Sequence, residues 1–224
     1  MRIVVAMSGG VDSSTGARAS AIIDETTDFP ANAVTVSPNT LAGIAGNVTL
    51  YASRYMRIGN DISLTRPGQS LTATVGTYTA PAAPDPVAQD TVTPNRMDIG
   101  TDIANGKGVN ITTAGGAVSL DAPLIQGLTT SKIATGGGAI TLNSSGAIQA
   151  SQLSLDAGTG AVSATSTGFQ QLSAVTGGSF TSSSGSSINI GGLITTTGGP
   201  VAISSTGSSI SPSGGPTGGG AFTM

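Results

Sequence analysis

The sequence predicts an all-β fold, a right-handed parallel β-helix with coils of about 18–22 residues. Only 8% of the 224 residues are charged and 3% are aromatic, whereas the surface helices of an α/β protein need many Glu, Lys and Arg side chains. Hydrophobic residues still reach 38%, mostly small aliphatics, which is too many for a disordered chain. Short alternations of apolar and polar residues, interrupted by the 34 glycines and by serine, indicate strands separated by turns.

The repeat is clearest over residues 108–211, where five phrases begin with glycine. They are GAVSL at Gly116, GAITL at Gly138, GAVSA at Gly160, GSFTS at Gly178 and GPVAI at Gly199, at spacings of 22, 22, 18 and 21 residues. One coil cannot bury its inward side chains alone, but stacked coils can, with strands about 4.8 Å apart. We therefore predict one inward row along the axis, formed by Val118, Ile140, Val162, Phe180 and Val201.

The pattern divides the chain into five segments. They are an N-terminal strand and glycine loop (1–17), irregular β-helix coils (18–79), a proline-rich loop or insertion (80–107), regular β-helix repeats (108–211) and a flexible tail (212–224). In the second segment, the strand-like stretches NVTLYAS and NDISLT flank a turn at Gly59, and QSLTATVGTY follows. Four prolines within residues 80–95 predict the insertion, and a low apolar content predicts the tail.

The first fourteen residues, MRIVVAMSGGVDSS, carry a motif of a different kind. A short apolar strand runs into Ser-Gly-Gly-Val-Asp-Ser, which resembles the pyrophosphate loop of the ATP pyrophosphatase family, in particular the bacterial tRNA 2-thiouridylases. The resemblance implies a cytoplasmic enzyme that uses ATP and magnesium to adenylate a uridine. It assigns the ATP phosphates to Ser8, Gly9, Gly10, Asp12 and Ser13.

The surroundings of this motif favour another interpretation. Such a loop binds phosphate at the N-terminus of a helix, whereas residues 17–25 could form two helical turns at most. No alternation of strands and long helices follows, there is no cysteine for sulfur transfer, and a net charge of -3 without a basic cluster provides no nucleic-acid footprint. We therefore expect residues 1–14 to cap the β-helix as a strand and glycine turn without binding ATP. The tRNA-thiolating enzyme is the alternative.

A second resemblance covers residues 18–211. The phrases GNVTLYAS, NDISLT and GGAITLNSSGAI are similar to the repeats of filamentous-haemagglutinin-type exoproteins, which are bacterial surface adhesins exported by two-partner secretion. The resemblance implies a non-enzymatic, secreted or cell-surface β-helical filament. Its partners would be host or cell-surface receptors or glycans and an outer-membrane secretion transporter. Because no export signal and no apolar run of about 20 residues is present, we expect an internal or truncated piece without a membrane span.

The β-helical segments predict no catalytic set, no metal site, no cofactor and no nucleic-acid partner. Asp121 and Asp156 stand alone in their coils, and we expect them to be solvated turn residues. Asp98 and Asp102 could bind calcium, but the oxygen-rich ligation that calcium requires is not evident.

Two further groups of residues have weaker functional interpretations. N-x-S/T triplets, which we interpret as coincidence or as asparagines in solenoid turns, begin at Asn47, Asn110 and Asn143. A mildly basic patch, with glycan or surface contact as a hypothesis, is predicted from Arg54, Arg57 and Arg66 beside Tyr51 and Tyr55.

Overall fold

In a computed structural model of the chain, parallel strands wind into a β-solenoid of about six turns with almost no helix. The structure describes residues 2–4, 21–23, 38–76, 95–100, 106–207, 209–213, 216–217 and 220–223. Each coil contributes one strand to each of three faces, and the strands of successive coils are hydrogen-bonded side by side. The predicted all-β, parallel β-helical fold class is confirmed.

Two of the three faces belong to one 16-stranded sheet, because the long strand β3 (Val48–Ile58) runs from one face into the other. The first face contains the first half of β3 and, in order of pairing, β5 (Leu71–Val75), β8 (Val118–Asp121), β11 (Ile140–Ser144), β14 (Ala161–Ser166), β17 (Ser179–Ser184), β20 (Val201–Ser205) and β23 (Phe222–Thr223). The second face contains the second half of β3, β6 (Arg96–Ile99), β9 (Leu124–Gly127), β12 (Ala147–Ala150), β15 (Gln170–Leu172), β18 (Ile188–Ile190) and β21 (Ile210–Pro212).

The third face is a separate 7-stranded sheet. Its strands, in order of pairing, are β4 (Ile62–Pro67), β7 (Asn110–Ala114), β10 (Ser131–Ala134), β13 (Leu153–Asp156), β16 (Val175–Gly177), β19 (Ile194–Thr196) and β22 (Pro216–Thr217). Every pair in this sheet is parallel, so the chain travels in the same direction around each coil.

The predicted inward row is confirmed on the first face. Its five members are consecutive register partners, and each is at most 2% exposed: Val118, Ile140, Val162, Phe180 and Val201. Val48 and Leu71 extend the same row toward the N-terminal end. Because alternate side chains of a strand point to the same side of a sheet, the row forms one wall of a continuous core along the axis.

Glycine at the corner before the first face lets neighbouring coils come into close contact. A Cβ added at Gly138 would lie 2.2 Å from the carbonyl oxygen of Gly116, and one at Gly160 would lie 2.3 Å from that of Gly138. The corner after the first face carries inward serines instead, and Ser144 Oγ donates to the carbonyl oxygen of Pro123 in the preceding coil at 2.9 Å. The small residues predicted at the turns are therefore required by the contact between coils.

Three short elements cover the N-terminal end of the stack. β1 (Arg2–Val4) pairs antiparallel with β3, β2 (Ala21–Ile23) pairs parallel with its first half, and α1 (Pro38–Gly43) packs on β4. The side-chain amide of Gln69 donates to the carbonyl oxygens of Ile44 at 2.8 Å and Gly46 at 2.7 Å, which fastens the segment after α1 to the next coil. β1 is thus a strand at the capping position predicted for residues 1–14, whereas the glycine turn lies outside the described residues.

The predicted insertion over residues 80–107 needs correction, because Arg96–Ile99 forms β6 within the stack. Met97 and Ile99 occupy inward positions opposite Met56 and Ile58 of β3, and both are fully buried. Arg96, Met97, Asp98 and Ile99 alternate polar and apolar side chains as a strand does, but the stretch is only four residues long and follows the proline-rich segment.

The predicted flexible tail over 212–224 also needs correction. Pro216–Thr217 and Phe222–Thr223 form β22 and β23, which continue the registers of the third and first faces. Val201 N donates to the carbonyl oxygen of Ala221 at 2.7 Å. Backbone pairing with the preceding coil therefore holds these two short strands in spite of the low apolar content of the sequence around them.

Candidate functional site

A polar cluster lies on the second face, where β3 pairs with β6. The side chain of Asp98 is fully buried, and Tyr55 OH donates to its Oδ2 atom at 2.6 Å. Arg96 Nε lies 3.1 Å from Asp98 Oδ1, and Arg57 Nη2 lies 3.8 Å from Asp98 Oδ2. The two guanidinium groups balance a carboxylate that would be costly to bury alone.

The register of the two strands assembles this cluster. Tyr55 lies opposite Arg96, and Arg57 lies opposite Asp98. Both guanidinium carbons approach the Tyr55 ring, at 5.8 Å for Arg57 and 5.3 Å for Arg96 from its centroid, within the range of cation–π attraction. Burial raises the pKa of Tyr55, and its hydrogen bond to Asp98 raises that pKa further. The cluster therefore joins two neighbouring coils through the side chains of β3 and β6.

The predicted basic patch is only partly formed. Arg57 lies on the second face, whereas Arg66 is exposed in β4 on the third face. Arg96, which the sequence analysis missed, is the residue that joins Arg57, and the signal for it was the alternation of Arg96, Asp98 and their apolar neighbours. The side chain of Arg54 lies outside the described residues.

The calcium hypothesis for Asp98 does not fit the structure. Two arginines and a tyrosine surround its carboxylate, and this positively charged environment opposes a bound cation. Asp102, its predicted companion, lies outside the described residues.

Asp121 and Asp156 lie at strand ends rather than in turns, which corrects that part of the prediction, while both side chains remain partly exposed as expected. Asn143 Nδ2 donates to Asp121 Oδ1 at 3.2 Å, and Lys132 Nζ lies 2.8 Å from Asp156 Oδ2. The hydrogen bond from Lys132 lowers the pKa of Asp156, and that from the backbone of Gly158 lowers it further, against the opposing effect of burial. Each aspartate therefore connects two coils.

The three asparagines of the N-x-S/T triplets belong to the stack. Asn47 precedes β3 and accepts a hydrogen bond from Ser70 N at 3.1 Å. Asn110 begins β7, where its backbone N–H donates to Asp61 Oδ1 at 2.8 Å, and Asn143 is a strand residue of β11. Asn47 therefore lies outside the strands, whereas Asn110 and Asn143 are strand residues, so the interpretation as turn asparagines does not hold for these two.

The outward positions of the first face form two polar rows. Row one is Thr49, Thr72, Ser119, Thr141, Ser163, Thr181, Ala202 and Thr223, and row two is Tyr51, Thr74, Asp121, Asn143, Thr165, Ser183 and Ser204. No bulge interrupts the pairing from β5 to β23. The sequence analysis predicted polar outward residues but not their alignment.

The second face carries a shorter row of outward amides. It consists of Gln126, Gln149, Gln171 and Asn189, and Gln126 Nε2 donates to Gln149 Oε1 at 3.0 Å. Repetition of the same side-chain type from coil to coil makes the surface periodic along the solenoid axis.

The residues assigned to ATP phosphates by resemblance, Ser8, Gly9, Gly10, Asp12 and Ser13, lie outside the described part of the chain. Among the residues that the structure describes, no group of three or more His, Cys, Asp or Glu side chains could hold a metal ion. Nor do the described residues include a helix with the length and apolar character to span a membrane. No protein-family model, no curated protein and no solved structure matches the chain.

Proposed function

We propose that the chain is a segment of a non-enzymatic surface adhesin, a β-helical filament that binds host or cell-surface receptors through many equivalent weak contacts. The observation that carries this proposal is the recurrence of the same outward polar side chains from coil to coil on a rigid apolar core. The proposal includes a secreted or cell-surface location, export through an outer-membrane transporter and no cofactor.

Multivalency supplies the physical basis of adhesion by such a surface. A contact made by one or two hydroxyl groups is weak, but coils at a fixed spacing offer the same contact repeatedly to a repetitive partner. The rigid backbone reduces the entropy that each successive contact costs. A long solenoid can therefore bind firmly without a deep pocket.

The pairing of the described carboxylates with basic side chains also supports a non-enzymatic role. Asp98 is neutralised by Arg57 and Arg96, and Asp156 is paired with Lys132. These carboxylates connect coils, whereas glycoside hydrolysis, for example, needs two carboxyl groups that flank the bond to be cleaved.

The proposal is tested with beads that carry the full chain at graded densities, passed over immobilised cells or printed glycans under flow. We expect bead retention to rise more steeply than linearly with density, since several chains then engage together. Beads with equal densities of the Ile140→Asp variant, whose core we expect to be strongly destabilised by the buried carboxylate, provide the matched control. Retention no better than that of albumin-coated beads at every density would contradict the proposal.

The alternative enzyme is separated from the adhesin by calorimetry. We expect titration with ATP and magnesium to release no heat, and Asp12→Ala to change nothing. Binding of ATP that Asp12→Ala abolishes would instead support the tRNA-thiolating activity implied by residues 1–14.

A further inference from the structure

We propose that the first face of the solenoid is an ice-binding surface, whose ligand is crystalline water. This activity is distinct from receptor adhesion and involves the two outward rows of the first face defined above. It rests on the chemistry of these rows, on their spacing and on their rigidity.

The chemistry of the two rows suits an uncharged lattice of hydrogen-bonding groups. Row one has a hydroxyl group at every position except Ala202, and threonines and serines also dominate the later part of row two. The single charged member is Asp121, and Asn143 Nδ2 donates to it. A hydroxyl both donates and accepts, so it can replace a water molecule at the surface of ice.

The spacing of the rows forms a two-dimensional net. Along the axis, successive coils place equivalent hydroxyls about 4.8 Å apart, and along each strand the two rows are about 6.7 Å apart. Rows of oxygen atoms on the faces of ice repeat on this scale. The in-register pairs Thr141–Ser163, Ser163–Thr181 and Thr165–Ser183 keep this net regular through the middle of the face.

The rigidity of the face lowers the cost of ordering water on it. The inward residues behind the rows, such as Ile140, Val162 and Phe180, are at most 1% exposed. Threonine is stiff at χ1, so its hydroxyl and methyl groups keep a narrow range of positions. Water held by such an array needs little rearrangement to join a crystal, and many weak contacts together hold the protein on it.

Other occupants fit the face less well. From strand spacing and residue rise, the fifteen positions of the net cover about 500 Å², which is less than the roughly 600–1,000 Å² that a stable pair of copies buries on each partner. The described rows include one aromatic residue, Tyr51, at their N-terminal end, so they offer no repeated aromatic platform for sugar rings. They also lack the repeated charges that an ionic polymer would require.

The experiment measures thermal hysteresis and ice-crystal shape for the full chain in buffer. We expect a gap between melting and freezing temperatures, together with faceted crystals. Thr165→Tyr and Thr181→Tyr, tested separately, each place a bulky ring on the exposed centre of the net, and we expect each to lose most of the gap. The matched control is Gln149→Tyr, an exposed strand position on the second face, which we expect to keep the gap.

Circular dichroism and melting temperatures equal to those of the unmodified chain establish that the variants are folded. The proposal is overturned if the unmodified chain shows no hysteresis beyond albumin. It is overturned equally if both threonine variants keep the gap, or if Gln149→Tyr loses as much of it as they do. Because bead retention is measured in liquid water, failure here and failure of the adhesin proposal are distinguishable.

Discussion

Replacement of Gly138 by alanine provides the sharpest test of coil stacking. Gly138 lies at the corner before the first face, and a Cβ there would be 2.2 Å from the carbonyl oxygen of Gly116. Real Cβ atoms essentially never approach closer than 3.0 Å, so the two coils must separate by about 0.8 Å. The obstacle is backbone, which cannot rotate away as the end of a side chain could.

The loss of stability caused by Gly138→Ala can be worked out from the hydrogen bond next to it. Val118 N donates to the carbonyl oxygen of Ala139 at 2.9 Å, and an equal separation would stretch this bond beyond the limit of about 3.5 Å. Loss of a buried hydrogen bond costs about 1–3 kcal/mol, and overpacking costs about 1–3 kcal/mol. We therefore expect the free energy of unfolding to fall by about 2–6 kcal/mol, which lowers Tm by about 4–24 °C in a chain of this size.

Thermal and urea unfolding, followed by circular dichroism, measure this loss. The matched control is Gly191→Ala, since the nearest atom to an added Cβ there is Leu172 O at 3.7 Å. We expect this control to change stability by less than about 1 kcal/mol, with stabilisation the more common direction when an unstrained glycine is replaced. Equal melting temperatures for the two variants would refute close contact between coils at this corner.

Three further predictions concern the core and one ion pair. Ile140→Asp should lower the free energy of unfolding by about 4 kcal/mol or more, because it buries an unpaired carboxylate. The same substitution at the exposed neighbour, Thr141→Asp, should change the free energy of unfolding by less than about 0.5 kcal/mol. An unchanged Tm for Ile140→Asp would mean that the row does not face inward. Gln170→Leu should lower the free energy of unfolding by about 1–3 kcal/mol, because Ser182 loses its acceptor and the carbonyl groups of Ala164 and Ser183 lose a donor; the double variant with Ser182→Ala should recover only the part due to Ser182, as a urea double-mutant cycle measures. Asp156→Asn should lower the free energy of unfolding by no more than about 1 kcal/mol, since the ion pair of Asp156 with Lys132 is more than one-third exposed. Because the pKa of Asp156 is lowered from 3.8, this loss should be present above pH 3.8 and should vanish as the pH falls below it. A loss of stability that persists in acid would exclude the ion pair as its source.

The inward row was predictable because its signal is both local and repeated. In each regular coil a glycine is followed two residues later by an aliphatic or aromatic residue, as at Val118 and Ile140, and the period is constant within four residues. Stacking then determines the register, since a slip of one residue would turn every inward side chain outward. The same rule aligns the outward rows, which can be read from the sequence once the coils are aligned.

The contact between Tyr55 and Asp98 could not be predicted because it joins distant parts of the sequence and does not recur in other coils. Tyr55 and Asp98 are 43 residues apart, and the chain between them includes coil strands and the proline-rich segment. Arg96 lies two residues from Asp98 on the same strand, but only the register of β6 on β3 places Arg57 opposite Asp98. The ATP-phosphate interpretation stays a prediction, since its residues lie outside the described part of the chain.

Gln170 shows how the solenoid tolerates a polar side chain in its core. It occupies an inward position between Ile148 and Ile188 and is fully buried. Its Nε2 atom donates to the carbonyl oxygens of Ala164 at 3.2 Å and Ser183 at 2.6 Å, and its Oε1 atom accepts from Ser182 at 2.6 Å. Because the amide is fully paired, it costs little in this register, whereas in a slipped register its groups would lose their partners. A slip of two residues keeps aliphatic side chains inward, so a purely aliphatic core distinguishes such registers poorly. The buried amide of Gln170 favours one of them, because only there are its groups paired.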